Sequence, residues 1–333
     1  MPSGRMSWDG VLACGERPAR FAGSRFGGSA AVALWPRGVG GMIAGHLAST
    51  QWAMHPAVLA AMMRRSALEA MLPDILRPIA ADFSGAREAA KPAEPVREGA
   101  LFVLPVVGIL APQGMFSGGT SYEAIANGVR DAAADARVDT IVLDVRSPGG
   151  TVWGCQEAAD AIFQARFVKP VIAVASPYSF SAAYWLSTQA SKFYVTTSGE
   201  VGSVGVRSGH TDMSSFEAII GVKTTLIGSH PDKIAAHPHA PLADDDRAEI
   251  QLGVDESNRR FGLAIARGRG MRLADVASVH GSGKTFSASR ALDRGAIDGI
   301  DTLRDVICKF ASRQNRLAMM KRQLALAELT TLI

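Results

Sequence analysis

Three short stretches of this 333-residue chain hold residue types that do chemistry. The first is YSFSAAYWLS, Tyr178 to Ser187, in which Ser181 is followed by Ala182 and Ala183. A reactive serine needs small neighbours, so that a substrate carbonyl can approach. It also gains from a helix start, where N–H donors favour developing negative charge. A capping serine uses the same position, so both readings stand. The second stretch is SPGG, Ser147 to Gly150. Its two glycines free the backbone to turn sharply and to aim N–H groups at a ligand. An ordinary strand-to-helix turn uses glycines in the same way. The third is GSHPDKIAAHP, around Lys233. A lysine serves as a base only when neutral, and burial away from carboxylates removes its charge. Asp232 is adjacent and opposes this if it points the same way; a solvated surface charge is the plainer role.

The surrounding pattern supplies elements to position these groups. LFVLPVVGIL reads as a strand, and SYEAIANGVRDAAADA as a helix capped by Ser121. TIVLDVR is a buried strand leading into SPGG, and VWGCQEAADAIFQARF is helical. PVIAVAS is a second buried strand, which delivers Ser181 to the helix FSAAYWLSTQA. KFYVTT, GEVGSVGV and VKTTLIG read as further strands, SSFEAIIG as a helix, and residues 244–268 as a long charged helix. Continuous apolar strands alternating with helices predict an α/β domain whose largely parallel sheet is buried on both faces. Residues 1–41 are expected to be disordered or untranslated. Residues 42–83 form a helical preface by their spacing of Val58, Leu59, Met62, Met63 and Leu68. Residues 84–99 read as a linker, 100–310 as the main domain, and 311–333 as an amphipathic helical tail.

Composition excludes several classes. Net charge is +4, and Lys and Arg are scattered, so no nucleic-acid partner is expected. Cys14, Cys155 and Cys308 lie far apart, which fits a reducing compartment and offers no zinc cluster. The longest apolar run, Ala100 to Pro112, is too short to span a bilayer, and no signal peptide stands at the start. A cytoplasmic location without a membrane anchor follows as the expectation. GSGKT, residues 281–285, looks like a phosphate loop, but the required earlier glycine is Ser278 and no strand leads into it. It is read as a plain loop.

Five motifs in order over about 200 residues resemble the signal peptide peptidase A (protease IV) family, of the Clp/crotonase fold with its ββα repeats. They are VRSPGG; Ser181-Ala-Ala-Tyr184 where the family has Ser-Gly-Gly-Tyr; GSVGV at Gly202 to Val206; the run HTDMSSFEAIIGVKTTLIGS; and FSASRALDRGAID. The resemblance implies a serine peptidase with a Ser-Lys dyad. Ser181 would be the nucleophile, Lys233 the general base, and Ser203 the residue that holds the lysine amine. The amides of Gly150 and Ala182 would form the oxyanion hole. No metal, nucleotide or other cofactor is implied. The two alanines narrow the groove by two methyls relative to the family, and Asp precedes Lys233 where the family commonly has it after.

Without a membrane anchor the chain is most similar to the phage head maturation (capsid assembly protease C) subgroup. The resemblance then implies scaffold or portal proteins as substrates, self-cleavage, and a homo-oligomer, with the helix from Asp244 and the tail as subunit contacts. The alternatives are a host-type peptidase clearing signal-peptide remnants, a Clp-like Ser-His-Asp protease using His210 and Asp212, a crotonase-type acyl-CoA enzyme, and a capsid-assembly protein that has lost its chemistry.

Overall fold

A computed structural model describes residues 51–55, 94–98, 100–113, 115 and 119–311. The expected disordered N-terminus and almost all of the helical tail lie outside them, as do most of the preface and of the linker.

The strands are β1 (Trp52–Met54), β2 (Val96–Glu98), β3 (Leu101–Val107), β4 (Thr140–Ser147), β5 (Gly149–Thr151), β6 (Val171–Phe180), β7 (Lys192–Val195), β8 (Glu200–Gly202), β9 (Thr285–Ser287) and β10 (Gly299–Ile300). The main sheet runs β10-β7-β6-β4-β3-β2, and its centre is parallel throughout. β2 joins it antiparallel at one end of that path. Side chains alternate across the sheet as the pleat demands. Ile141, Leu143, Val145, Val171, Ala173 and Ala175 enter one core. Val142, Ile172 and Val174 enter the other, with Tyr194 and Val306. Burial on both faces explains why these strands are continuous apolar runs.

The first core is closed by α1 (Tyr122–Ala134) and α2 (Cys155–Ala165). Ser121 caps α1 as expected: its backbone is extended, and its Oγ accepts the Ala124 N–H at 3.2 Å. The second core is covered by the helical residues 303–311. Next along the chain come α3 (Ala182–Ser187) and α4 (Ser214–Ile219), then α5 (Asp244–Arg269), α6 (Leu273–His280) and α7 (Ala288–Asp293). Helix α5 seats on α3 through Trp185 stacked on Phe261, ring centroids 4.7 Å apart.

Strand β6 does two jobs. Residues 172–175 pair with β7, and residues 178–180 pair with β8, which in turn pairs antiparallel with β9. The register against β4 slips between Val145 and Ser147, and such a slip bends a strand. Beyond the slip Ser179 still pairs with Ser147 of β4, while β8 replaces β7 on the other edge of β6, and Ser181 stands just past the end of that strand.

Three expectations are corrected. Val96–Glu98, inside the span read as a linker, form β2, paired antiparallel with β3. Residues 222–228, read as the strand VKTTLIG, are exposed and carry no strand. Their β-branched residues suit a ladder, but β propensity acts only where a partner strand is present. Within the expected helical preface, residues 52–54 are instead a strand, wholly buried and antiparallel to β5. His55 precedes Pro56, and a residue before proline is pushed away from helical geometry.

A buried polar pair ties α3 to α6. Tyr184 Oη and His280 Nδ1 lie 2.5 Å apart with no solvent access to the imidazole. Burial, and then the positive charges of Arg269 and Arg294, hold the His280 pKa down to about 4 from an ordinary 6.5. The unfolded chain takes up this proton near pH 6.5, whereas the folded chain resists until about 4. This contribution is therefore complete above pH 6.5 and is lost as pH falls toward 4, up to about 3 kcal/mol in all. Thermal unfolding followed by circular dichroism should show a Tm that drops across that window, and His280→Gln should flatten part of the slope.

Candidate active site

The SPGG turn and the end of β6 are pressed together. Gly149 has φ 101°, and a side-chain carbon there would lie 2.2 Å from Ala53 O, 2.9 Å from Phe180 O and 3.1 Å from Ala182 N. A carbon on Gly150 would meet Leu110 O at 1.7 Å. Both glycines are thus required by close approach. Ser147 braces the turn: its Oγ donates to Gly108 O at 2.7 Å and accepts the Gly149 N–H at 3.1 Å.

Ser181 is buried, with φ 53° and ψ −117°. That backbone is disfavoured for any residue with a side chain and costs about 1–3 kcal/mol. It is held because the Ser181 N–H donates to Gly202 O at 2.8 Å, while its carbonyl accepts the Trp185 N–H at 2.8 Å. A capping serine looks different: like Ser121, it has extended backbone and a side chain bonded to the first helical turn. Ser181 makes no such side-chain bond; its Oγ faces Gly205 O at 3.5 Å. Strained backbone at a sharp strand-to-helix turn is how folds present a nucleophilic hydroxyl. Ser181 therefore stands at the N-cap position without the side-chain bond by which a serine caps.

The sequence-derived residues divide into those brought together and those left apart. Ala182 opens α3 directly beside Ser181, and its amide borders the space next to Gly149. Ser203, φ 57°, lies within the Gly202 to Gly205 turn that wraps Ser181, and its N–H donates to Lys284 O at 2.8 Å. Gly150 is on the same wall, but it pairs with Ala53 in the β1–β5 ladder. The flanking bonds, Val152 N–H to Gln51 O at 3.1 Å and His55 N–H to Pro148 O at 2.8 Å, fix the alternation. They direct the Gly150 amide at the Ala53 carbonyl.

Lys233 is left apart. It ends the 3-10 turn Pro231–Lys233 and is exposed, and among the described residues its side chain has no hydrogen bond to Ser181. The rival histidine is left apart as well. His210 Nε2 lies 3.3 Å from Ala240 O, and the Asp212 carboxylate accepts from Ser214 N and Oγ at 2.9 and 2.6 Å. Beneath the site, Cys155 Sγ is directed at Ala182 O, and burial pushes its thiol pKa up, so it packs and does not react. Sequence reasoning missed the Gly205 carbonyl and strand β1. Only the His55-Pro56 pair signalled the latter.

Residues 164–316 match the family described as Peptidase family S49. Capsid assembly protease C of Escherichia phage lambda is 33% identical over 209 residues, 62% of this chain and 47% of that protein. Head-tail preconnector protein GP5 of Enterobacteria phage P21 is 32% identical over 217 residues, 64% of this chain and 43% of that protein. Protease 4 of Salmonella typhi is 28% identical over 203 residues, 58% of this chain and 31% of that protein. The chain spans a little under half the length of the two phage relatives. Among the described residues no helix is long and apolar enough to cross a membrane.

Stability measurements separate a cap from a presented hydroxyl. In urea unfolding, Ser121→Ala should cost about 1 kcal/mol, whereas Ser181→Ala should change stability by less than about 0.5 kcal/mol. Equal losses at the two positions would return Ser181 to a capping role.

Proposed function

We propose that the peptidase family S49 domain carried by residues 164–316 makes this chain a serine endopeptidase acting through Ser181 and Lys233. The observation that carries the reading is the backbone of Ser181. A buried serine at φ 53°, held at the junction of two small-residue turns, has no structural use that a relaxed residue would not serve better.

The chemistry then runs as follows. A neutral lysine amine takes the Ser181 proton as Oγ attacks a peptide carbonyl. The negative oxygen is received by the Ala182 amide with that of Gly150, a stabilisation worth about 3–4 kcal/mol per donor in comparable sites. The ammonium gives its proton to the leaving amine, and water releases the acyl group. Ser203 would orient the amine from the turn that wraps the serine.

Lys233 reaches this position in an assembly. Its segment, residues 211–235, is exposed nearly throughout and bears Phe216, Ile219, Ile220, Val222, Leu226 and Ile227 at the surface. An apolar arm of this kind is what a partner covers. The same contact would desolvate Lys233 beside the Ser181 of another copy, supplying the neutrality that a base requires. A homo-oligomer with a shared site accounts for the exposed arm and the separated dyad together. The phage relatives make head-associated proteins, such as scaffold or portal components, the proposed substrates.

Casein or peptide hydrolysis by the purified full chain tests this reading. Ser181→Ala and Lys233→Met should each lose at least about a thousandfold in kcat. Mixing the two variants should restore about a quarter of the activity, because random pairing reunites an intact serine with an intact lysine. Hydrolysis that survives Ser181→Ala would overturn the assignment. Loss in both variants with no recovery on mixing would place the base within a single chain.

A further inference from the structure

Strand β1 is bonded on both edges, and both partners are walls of the serine site. On one edge it runs antiparallel to β5, with Trp52 opposite Thr151, Ala53 opposite Gly150 and Met54 opposite Gly149. On the other, Trp52 and Arg207 exchange two main-chain bonds, Trp52 N–H to Arg207 O at 2.9 Å and Arg207 N–H to Trp52 O at 3.0 Å. Strand β5 is the segment that SPGG opens. Arg207 follows the Gly202 to Gly205 turn around Ser181. A three-residue strand from almost a hundred positions upstream therefore lies in a slot between the two segments that frame the nucleophile.

Its placement is that of a bound peptide. The Ala53 carbonyl lies against Gly149 in the space bordered by the Ala182 amide, and the Gly150 amide is directed at it. These are the two amides proposed above to receive a substrate oxygen. The His55 ring packs on Phe180, the residue before the serine, with centroids 5.0 Å apart. Trp52, Ala53 and Met54 are buried to 1%, 0% and 2% exposure. At its upstream end, the Gln51 side chain is tethered to α5, where Ser257 Oγ donates to Gln51 Oε1 at 2.5 Å.

We infer that Gln51–His55 is an intramolecular stand-in for substrate: it fills the peptide slot of Ser181 and must withdraw before another peptide enters. This rests on the peptidase reading. Strand addition takes affinity from main-chain bonds and selectivity from alternate side chains. An incoming peptide is thus extended, antiparallel to β5, and carries a small residue where Ala53 sits against the Gly149 turn. Because the occupant belongs to the same chain, its effective concentration is on the millimolar scale, and weak peptides are excluded.

The test uses the full chain. A fluorescein-labelled STQWAMHPA peptide, residues 49–57, is titrated by anisotropy into the Ser181→Ala protein with and without Trp52→Glu. Loss of Trp52 burial should tighten peptide binding at least tenfold. Independently, Gln51→Cys with Ser257→Cys, joined by a reducible bis-maleimide, should block both peptide binding and hydrolysis until the linker is reduced. The unsubstituted chain treated alike should be indifferent. If Trp52→Glu unfolds, the linked protein carries the test by itself. A folded Trp52→Glu protein with unchanged binding, or a linked protein as active as the reduced one, overturns the occupant. Tighter binding in Trp52→Glu with no hydrolysis by any Ser181-bearing form upholds the occupant and removes the peptidase instead. Hydrolysis indifferent to both changes removes the occupant and leaves the peptidase.

Discussion

The approach of the SPGG turn to the end of β6 governs the rest of the site. At Gly149 there is no room for one extra carbon between Ala53 O, Phe180 O and Ala182 N. This contact brings a turn from one strand against the turn of its neighbour in the sheet. It is possible because β6 stays beside β4 as far as Ser179 while its other edge passes from β7 to β8. Ser147, Gly202 and Gly205 contribute main-chain or hydroxyl partners around the junction. Two apolar cores on opposite faces hold β4 and β6 rigidly enough to keep it closed.

What was legible in the sequence follows from that division. The buried strands, α1 with its Ser121 cap, α2 and the long α5 are set by local periodicity and burial, and these were readable. Ser181 was readable as a position, because small residues at a strand end narrow the choices; its strained backbone was not, since only tertiary bonds to Gly202 and Trp185 impose it. Residues 222–228 misled because alternation and β-branching describe a strand's side chains and say nothing about whether a partner exists. Strand β1 was hidden for the opposite reason: its pairing with β5 is wholly non-local, and the helical spacing that begins at His55 drew it into the wrong element. The exposure of Lys233 is a matter of folding in three dimensions that spacing along the chain does not encode.

Two parts of the molecule differ in character. The β4–β5–β6 side is buried, glycine-tight and complete within one chain. The segment carrying Lys233 is exposed and bears apolar side chains at its surface, with its own small polar anchor where His239 Nδ1 lies 2.6 Å from Glu217.

The dihedral angles at position 181 also bear on how such a chain would lose its chemistry. A glycine there would relax the backbone without disturbing the bonds to Gly202 and Trp185, which are main-chain bonds. The change from serine to glycine at this residue is therefore downhill in folding free energy. A version of the fold with glycine at this turn would be the sturdier protein.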